Sequence, residues 1–189
     1  MRILTGLILM MSVPLCAIAD VERPNSPRIF VDDYHECFAK SIPADDYGDR
    51  GTTAIYRVEA GTDRLISTFP WYTQQVFIRC IAPSPCPFII QVVRIGPWAR
   101  GSQATGKDLA IALYLDGRLL HSYSTLDIAK TSTNVERSSN HYSVFSAIPG
   151  YERGAGVDLF IVETIDGRPL AFNMDTGLLV DNALRVGTK

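Results

Sequence analysis

Residues 101–108 come close to a phosphate-binding loop, in which backbone N–H groups cradle phosphates and a lysine reaches them. Gly101, Gly106 and Lys107 stand at the spacing that such a loop needs. The next position should be Ser or Thr to hold Mg²⁺, but it is Asp108, whose charge would repel a phosphate. A helix should follow, whereas residues 109–115 have the composition of a strand. We therefore interpret this segment as a connection between strands.

Asp175-Thr176-Gly177 matches the tripeptide found at aspartic protease active sites. That mechanism needs two carboxylates that share one proton at close range. This chain has a single copy of the tripeptide, and Asp and Gly are natural turn residues. We interpret the tripeptide as a turn.

An acidic segment, Asp45-Asp46-Tyr47-Gly48-Asp49, offers oxygen atoms that suit Ca²⁺. It lacks the alternating spacing of acids in a helix–loop–helix calcium site, and Tyr47 occupies a position that would need a ligand. His35, His121 and His141 are far apart in sequence, and no serine-nucleophile signature is present. We predict no catalytic residues, no metal site and no cofactor.

Residues 94–101 form the most unusual stretch of the chain. A Gly-Pro pair must end the preceding strand and leaves Trp98 between Arg94 and Arg100. Trp and Arg are enriched at binding hot spots because they are large, stack well and form bidentate hydrogen bonds. His141 and Tyr142 lead into a later strand and add polar contacts if they lie nearby. We predict a binding surface made of Arg94, Trp98, Arg100, His141 and Tyr142; the alternative is that Trp98 plugs the end of the fold while the arginines pair with the acidic loop.

Residues 1–19 have the order of a secretory signal peptide. Arg2 precedes an apolar run, and Ala17-Ile18-Ala19 provides small residues for cleavage before Asp20. The run is too short to span a bilayer, and no later run is long enough. We predict a periplasmic or secreted protein with a signal peptide at 1–19, an extended lead-in at 20–28 and a single β-rich domain at 29–189.

Three cysteines remain after this cleavage: Cys37, Cys80 and Cys86. In an oxidising compartment two of them should pair. We favour Cys80–Cys86, because the two prolines between them suggest a tight connection between neighbouring strands. Pairing of Cys37 with either one, or between two chains, remains open.

Short runs rich in β-branched and aromatic residues alternate with turn residues after Gly51, which is typical of antiparallel strands. No long helical pattern interrupts them, so a parallel α/β sheet is disfavoured. We predict an all-β fold, an antiparallel β-sandwich of about 8–9 strands, with room for one short N-terminal helix within residues 29–40. The candidate strands are residues 52–60, 65–69, 75–82, 88–95, 109–115, 119–123, 142–148, 159–165 and 170–174.

Two Asp-Gly pairs, Asp116-Gly117 and Asp166-Gly167, stand between strand-like runs. This is the strongest short-range signal for a hairpin, because a type I′ turn needs positive φ at both central residues. Residues 88–93 are nearly continuous in apolar character, which indicates a central strand covered on both faces.

The formal net charge is −2, and no basic stripe is present, which argues against nucleic acid as a partner. We predict an exported, non-enzymatic domain that recognises a protein partner in the cell envelope, as an inhibitor or immunity protein does. One alternative is an envelope hydrolase that uses paired carboxylates such as Asp45, Asp49 or Asp175. The other is a structural envelope module that pairs a strand edge with another chain.

Overall fold

The computed structural model of this chain describes residues 22–81, 88–153 and 156–180. The predicted signal peptide and Cys86 lie outside the described residues. The described part is built from antiparallel strands and one short helix, so the predicted all-β fold is confirmed. In chain order, the elements are β1 (Arg28–Val31), β2 (Cys37–Pro43), β3 (Gly51–Arg57), β4 (Arg64–Phe69), β5 (Val76–Ile81), β6 (Ile89–Ile95), β7 (Ala99–Arg100), β8 (Leu109–Leu115), β9 (Arg118–Ser124), α1 (Thr125–Ala129), β10 (Glu136–Arg137), β11 (His141–Ser143), β12 (Phe145–Arg153), β13 (Asp158–Thr164) and β14 (Pro169–Asn173).

Three sheets are each made from one continuous stretch of chain. The amino-terminal sheet has the order β1-β2-β3-β4, the central sheet β5-β6-β8-β9, and the carboxy-terminal sheet β12-β13-β14. A fourth, small sheet joins β10, β11 and β7. Neighbouring strands in all of them run antiparallel.

The central sheet packs on both of its faces, as the continuous apolar run of β6 predicts. Ile90 and Val92 join one core with Cys37, Ile55 and Phe69 of the amino-terminal sheet. Their neighbours along β6 point the other way, because side chains alternate along a strand. Val93 and Ile95 belong to a second core, which they share with Phe160, Val162 and Phe172 of the carboxy-terminal sheet. The three sheets therefore stack in layers.

Buried polar groups cross the second of these two interfaces. Arg79 on β5 is 7% exposed, and its guanidinium lies 3.0 Å from the carboxylate of Asp158 on β13. The Tyr151 hydroxyl donates to the backbone oxygens of Phe77 and Gln91, at 3.2 and 3.1 Å. Burial raises the pKa of Tyr151 well above its ordinary value. These contacts fix the carboxy-terminal sheet against the central one.

No helix forms within residues 29–40, where we allowed for one; β1 and β2 occupy this stretch. A tight turn joins them, in which the Cys37 N–H donates to the Asp32 carboxylate at 3.0 Å. His35 in that turn has φ +59°, a left-handed conformation that does not continue a right-handed helix. The helix of the described chain is α1, which begins at a capping box made by Ser124 and Asp127.

Both predicted hairpins are present, but their turns differ. Asp116 and Gly117 have φ +49° and +79°, as a type I′ turn requires. In the second turn only Gly167 has positive φ, at +75°, and its N–H donates to the Thr164 oxygen at 2.8 Å. The second hairpin is therefore a longer loop that closes between Thr164 and Arg168.

The predicted Cys80–Cys86 disulfide is wrong, because Cys80 pairs with Cys37. Cys37 on β2 and Cys80 on β5 both point into the core between the first two sheets, with their Cα atoms 6.2 Å apart. We favoured the partner nearest in sequence, whereas layer packing brings together cysteines 43 residues apart. Such bonds form and persist in oxidising compartments. In the described ranges no helix is long and apolar enough to cross a membrane.

Candidate binding site

The chain leaves the central sheet at Gly96, and this exit positions the predicted binding residues. A Cβ on Gly96 would lie 1.8 Å from the Leu109 backbone oxygen, so only glycine fits against β8. The Gly96 N–H donates to the Ala110 oxygen at 2.9 Å. Pro97 then removes one backbone donor and fixes its own φ. Trp98 follows, immediately before β7.

Trp98 is held in place although it is exposed. Its side chain is 53% exposed, and its ring stacks on that of His141 with centroids 5.1 Å apart and planes 24° apart. His141 lies on β11, where it pairs directly with Arg100 of β7. Trp98 therefore follows a proline and packs one face of its indole on a side chain of the small sheet.

Arg100 and Tyr47 continue this exposed area. The Arg100 side chain is 64% exposed, and its guanidinium carbon lies 5.5 Å from the centre of the Tyr47 ring. Tyr47 is 44% exposed and comes from the acidic loop between β2 and β3. We name Tyr47, Trp98 and Arg100 the Trp98 surface.

The predicted contact residue Arg94 needs correction, because it is buried. It is 7% exposed, lies 4.8 Å above the Trp71 ring, and one terminal nitrogen is 2.6 Å from the Asp49 carboxylate. Its Nε is buried with no hydrogen-bond partner in the described part of the chain. Arg94 alternates with Val93 and so faces the amino-terminal sheet. Its ion pair with Asp49 links the acidic loop to β6.

His141 and Tyr142, two other predicted contact residues, are also buried, at 4% and 3% exposure. The Tyr142 hydroxyl lies 2.7 Å from the Asp108 carboxylate and 2.9 Å from the Thr125 hydroxyl. Burial raises the pKa of Tyr142, and the neighbouring Asp108 acts in the same direction. Both side chains lie behind the Trp98 surface, where His141 stacks on Trp98 and Tyr142 bonds to Asp108 and Thr125.

Cavities surround the Trp98 surface. One of about 470 Å³ lies between Trp98, Tyr47 and Arg100 and is bordered by the charged side chains of Lys107 and Asp108. A second, of about 700 Å³, is lined by Tyr47, Arg100 and His141. A third, of about 630 Å³, lies on the other side of Trp98 against β12. Trp98 therefore forms a ridge between recesses.

The segment that resembles a phosphate-binding loop is a connection, in agreement with our interpretation. Residues 101–108 lead from β7 directly into β8 without a helix. Asp108 accepts a hydrogen bond from the Thr105 hydroxyl at 2.8 Å as well as from Tyr142. Its carboxylate thus holds the connection and β11 together.

Two of the carboxylates considered for hydrolysis, those of Asp45 and Asp49, are held in separate ion pairs. Asp45 pairs with Arg50 at 3.1 Å, and Asp49 pairs with Arg94. Asp175 lies in a turn after β14, where its N–H donates to the Asn173 side chain at 2.8 Å. Gly177 of this turn packs on β9, and a Cβ there would lie 2.8 Å from that of Leu120. Across the described ranges no three His, Cys, Asp or Glu side chains group as a metal site would need.

The sequence did not point to Glu22 or Tyr47 as site residues. Glu22 lies in the segment predicted to be an extended lead-in, and its carboxylate is 2.6 Å from Arg100 and 3.3 Å from His141 Nε2. These partners are 78 and 119 residues away in sequence. Contacts of that range leave no local pattern, because only the folded sheets bring the segments together.

In comparisons with known proteins, no protein-family model, no curated protein and no solved structure matches the chain.

Proposed function

We propose that this chain is an exported, non-enzymatic domain that binds a protein partner in the cell envelope through the Trp98 surface. One observation carries the proposal: an exposed tryptophan, stacked on a buried histidine, lies in a patch that also exposes a tyrosine and an arginine. These three residue types dominate the hot spots of protein interfaces.

Rigidity supports a role in binding. A side chain already fixed in its bound orientation loses little conformational entropy when a partner docks. Trp98 stacks on a buried histidine and follows a proline, so we expect its indole to keep a preferred orientation before any contact. A large apolar ring kept exposed in this way contributes little to folding, and binding is the simplest reason for it.

Two features support export. Residues 1–19 have the composition and order of a secretory signal peptide. The Cys37–Cys80 disulfide fits the oxidising compartment to which such a signal leads.

The test is an affinity capture from envelope extract of the source organism, with the oxidised chain from residue 20 onward as bait. We expect wild type to capture one protein in stoichiometric amount and Trp98→Ala to lose it. Trp98→Ala should keep nearly the same thermal midpoint, because the side chain is about half exposed.

Leu65→Ala is the matched control, since Leu65 is 54% exposed and lies on the outer face of the amino-terminal sheet. It should capture the partner as wild type does. Capture that is lost with Leu65→Ala but kept with Trp98→Ala would move the interface to that sheet and contradict the proposed surface. No capture by a folded, oxidised sample would contradict the proposed class of function and redirect the search to small ligands or catalysis.

A further inference from the structure

The carboxylate of Glu22 sits within the Trp98 surface, at the end of an extended segment. Glu22 Oε2 lies 2.6 Å from a terminal nitrogen of Arg100 and 3.3 Å from Nε2 of His141. Its side chain is only 16% exposed, whereas that of Arg100 is 64% exposed. Glu22 therefore supplies a carboxylate of the chain itself to this site, where Asp49 and Asp108 also line the recess beside Trp98.

The segment that carries Glu22, residues 22–27, is attached a few residues further along; we name it the strap. The Asn25 side chain donates to the backbone oxygens of Asp45 and Gly48 at 3.2 and 3.0 Å. The Tyr72 hydroxyl donates to the Ser26 oxygen at 2.9 Å. Arg23 and Pro24, between these anchors and Glu22, are exposed. Glu22 thus lies three residues before the first of these anchors, Asn25.

Glu22 also separates two recesses. It lines both the cavity of about 470 Å³ beside Trp98 and the cavity of about 700 Å³ beside His141. Tyr47 and Arg100 line both cavities as well. Glu22 therefore lies on the border between the two recesses, in contact with Arg100 and His141.

We infer that the Trp98 surface binds an acidic side chain of its protein partner, and that Glu22 holds the place of that carboxylate until the partner arrives. The inference rests on the proposed function and names the chemistry of the partner. Arginine donates charge-assisted hydrogen bonds to carboxylates and often forms two parallel bonds to the same carboxylate. Trp98, which lies near Arg100, contacts an apolar or aromatic group of the partner next to the partner's acidic side chain.

Exchange of one carboxylate for another is energetically easy here. An ion pair to an exposed arginine contributes little to the stability of the fold. Arg100 faces solvent over most of its side chain, so a second carboxylate reaches it without movement of the sheets. The strap keeps its anchors at Asn25 and Ser26 while Glu22 withdraws.

The test uses the full chain and an acetylated, amidated tripeptide, alanyl-glutamyl-alanine, as the acidic probe. Binding is followed by NMR through the indole N–H signal of Trp98, assigned with Trp98→Phe. We expect Glu22→Gln to bind the probe about two- to fivefold more tightly than wild type, because the tethered Glu22 competes for Arg100 through an ion pair that is weak at an exposed site. The alanyl-glutamyl-alanine probe should bind better than its glutaminyl counterpart, and Arg100→Gln in the Glu22→Gln background should abolish the difference.

Equal binding by wild type and Glu22→Gln, or equal binding of the acidic and amide probes, would overturn the inference. The capture experiment distinguishes failure of this inference from failure of the proposed function. If a partner needs Trp98 but Glu22→Gln does not increase its capture and the acidic probe does not bind, the function stands and the inference fails. If the acidic probe binds Glu22→Gln yet no partner is captured, the carboxylate site stands and the proposed protein partner does not.

Discussion

Arg94 shows how a single side chain joins two parts of this molecule. The same arginine contacts Trp71 in the first core and Asp49 in the acidic loop, so loop and core move together. Its burial leaves Nε with no hydrogen-bond partner among the described residues. Much of the free energy gained from its ion pair is therefore offset by the cost of removing the guanidinium from water.

This balance predicts an asymmetry between two variants that break the same ion pair. Asp49→Asn leaves a buried cation without its counter-charge, and we expect it to lower the free energy of unfolding by about 2 kcal/mol. Arg94→Met removes the charge together with its desolvation cost and keeps the packing on Trp71, so we expect a loss below about 1 kcal/mol. Urea denaturation of both variants checks this. A larger loss in Arg94→Met than in Asp49→Asn would contradict it.

The residue types of the site could be predicted from sequence, but their exposure could not. Trp98 and Arg100 stand out by composition, and the structure exposes both. Arg94 stands out equally, yet its position on β6 turns it toward the amino-terminal sheet. Exposure depends on which face of a strand another sheet covers, and a single sequence does not contain that information.

Among the structural elements, the hairpins and their strands are those whose positions the local sequence predicted best. Most strand runs from residue 52 onward were predicted close to their observed positions, because alternation and Asp-Gly turns are local signals. The predicted strand 142–148 is the exception, since it joins the end of β11 to the first part of β12. The short strands β7 and β10 gave no such signal, since each has two residues and exists through pairing with β11. β1 and β2 were ambiguous because their apolar spacing also fits a helix.

The second hairpin predicts a dependence on acidic pH. The hydrogen bonds from Arg168 and Thr164 to Asp166 lower the pKa of that carboxyl to about 2. Because the folded pKa lies below the unfolded value, Asp166 stabilises the fold above pH about 4, and this contribution is lost as the pH falls toward about 2. Asp166 is partly exposed, so solvent screening limits the contribution to about 1 kcal/mol.

Thermal unfolding between pH 2 and 5 measures this effect. Asp166→Asn should be less stable than wild type at pH 5 and should approach it at pH 2. Asp63→Asn, in the turn before β4, is the control and should leave the pH profile of wild type unchanged. A constant difference between Asp166→Asn and wild type over the whole range would argue against the carboxylate as its source.

At the scale of the whole molecule, the disulfide is the covalent link between layers. It closes a stretch of 43 residues that includes β3 and β4. A loop of that length predicts a stabilisation of about 4 kcal/mol through restriction of the unfolded chain. A disulfide between Cys80 and Cys86 would have constrained far less of the unfolded chain.

Cys37→Ser combined with Cys80→Ser should therefore lower the free energy of unfolding by about 4 kcal/mol relative to the oxidised wild type. Guanidinium denaturation of both proteins, with wild type also measured under reducing conditions, provides the comparison. Reduced wild type should resemble the double variant. Little difference between oxidised and reduced wild type would show that this bond contributes no such constraint.

The stacking of three sheets, each made from its own stretch of chain, has a consequence for biogenesis. A chain that emerges amino end first presents the sheets in the order in which they stack, so the first two layers can close and oxidise before residues 145–173 arrive. Until then the central sheet leaves Val93, Ile111 and Leu113 uncovered. We therefore expect chaperones that bind exposed strands to engage this partly folded chain at the uncovered face of the central sheet, and to release it when the last three strands dock.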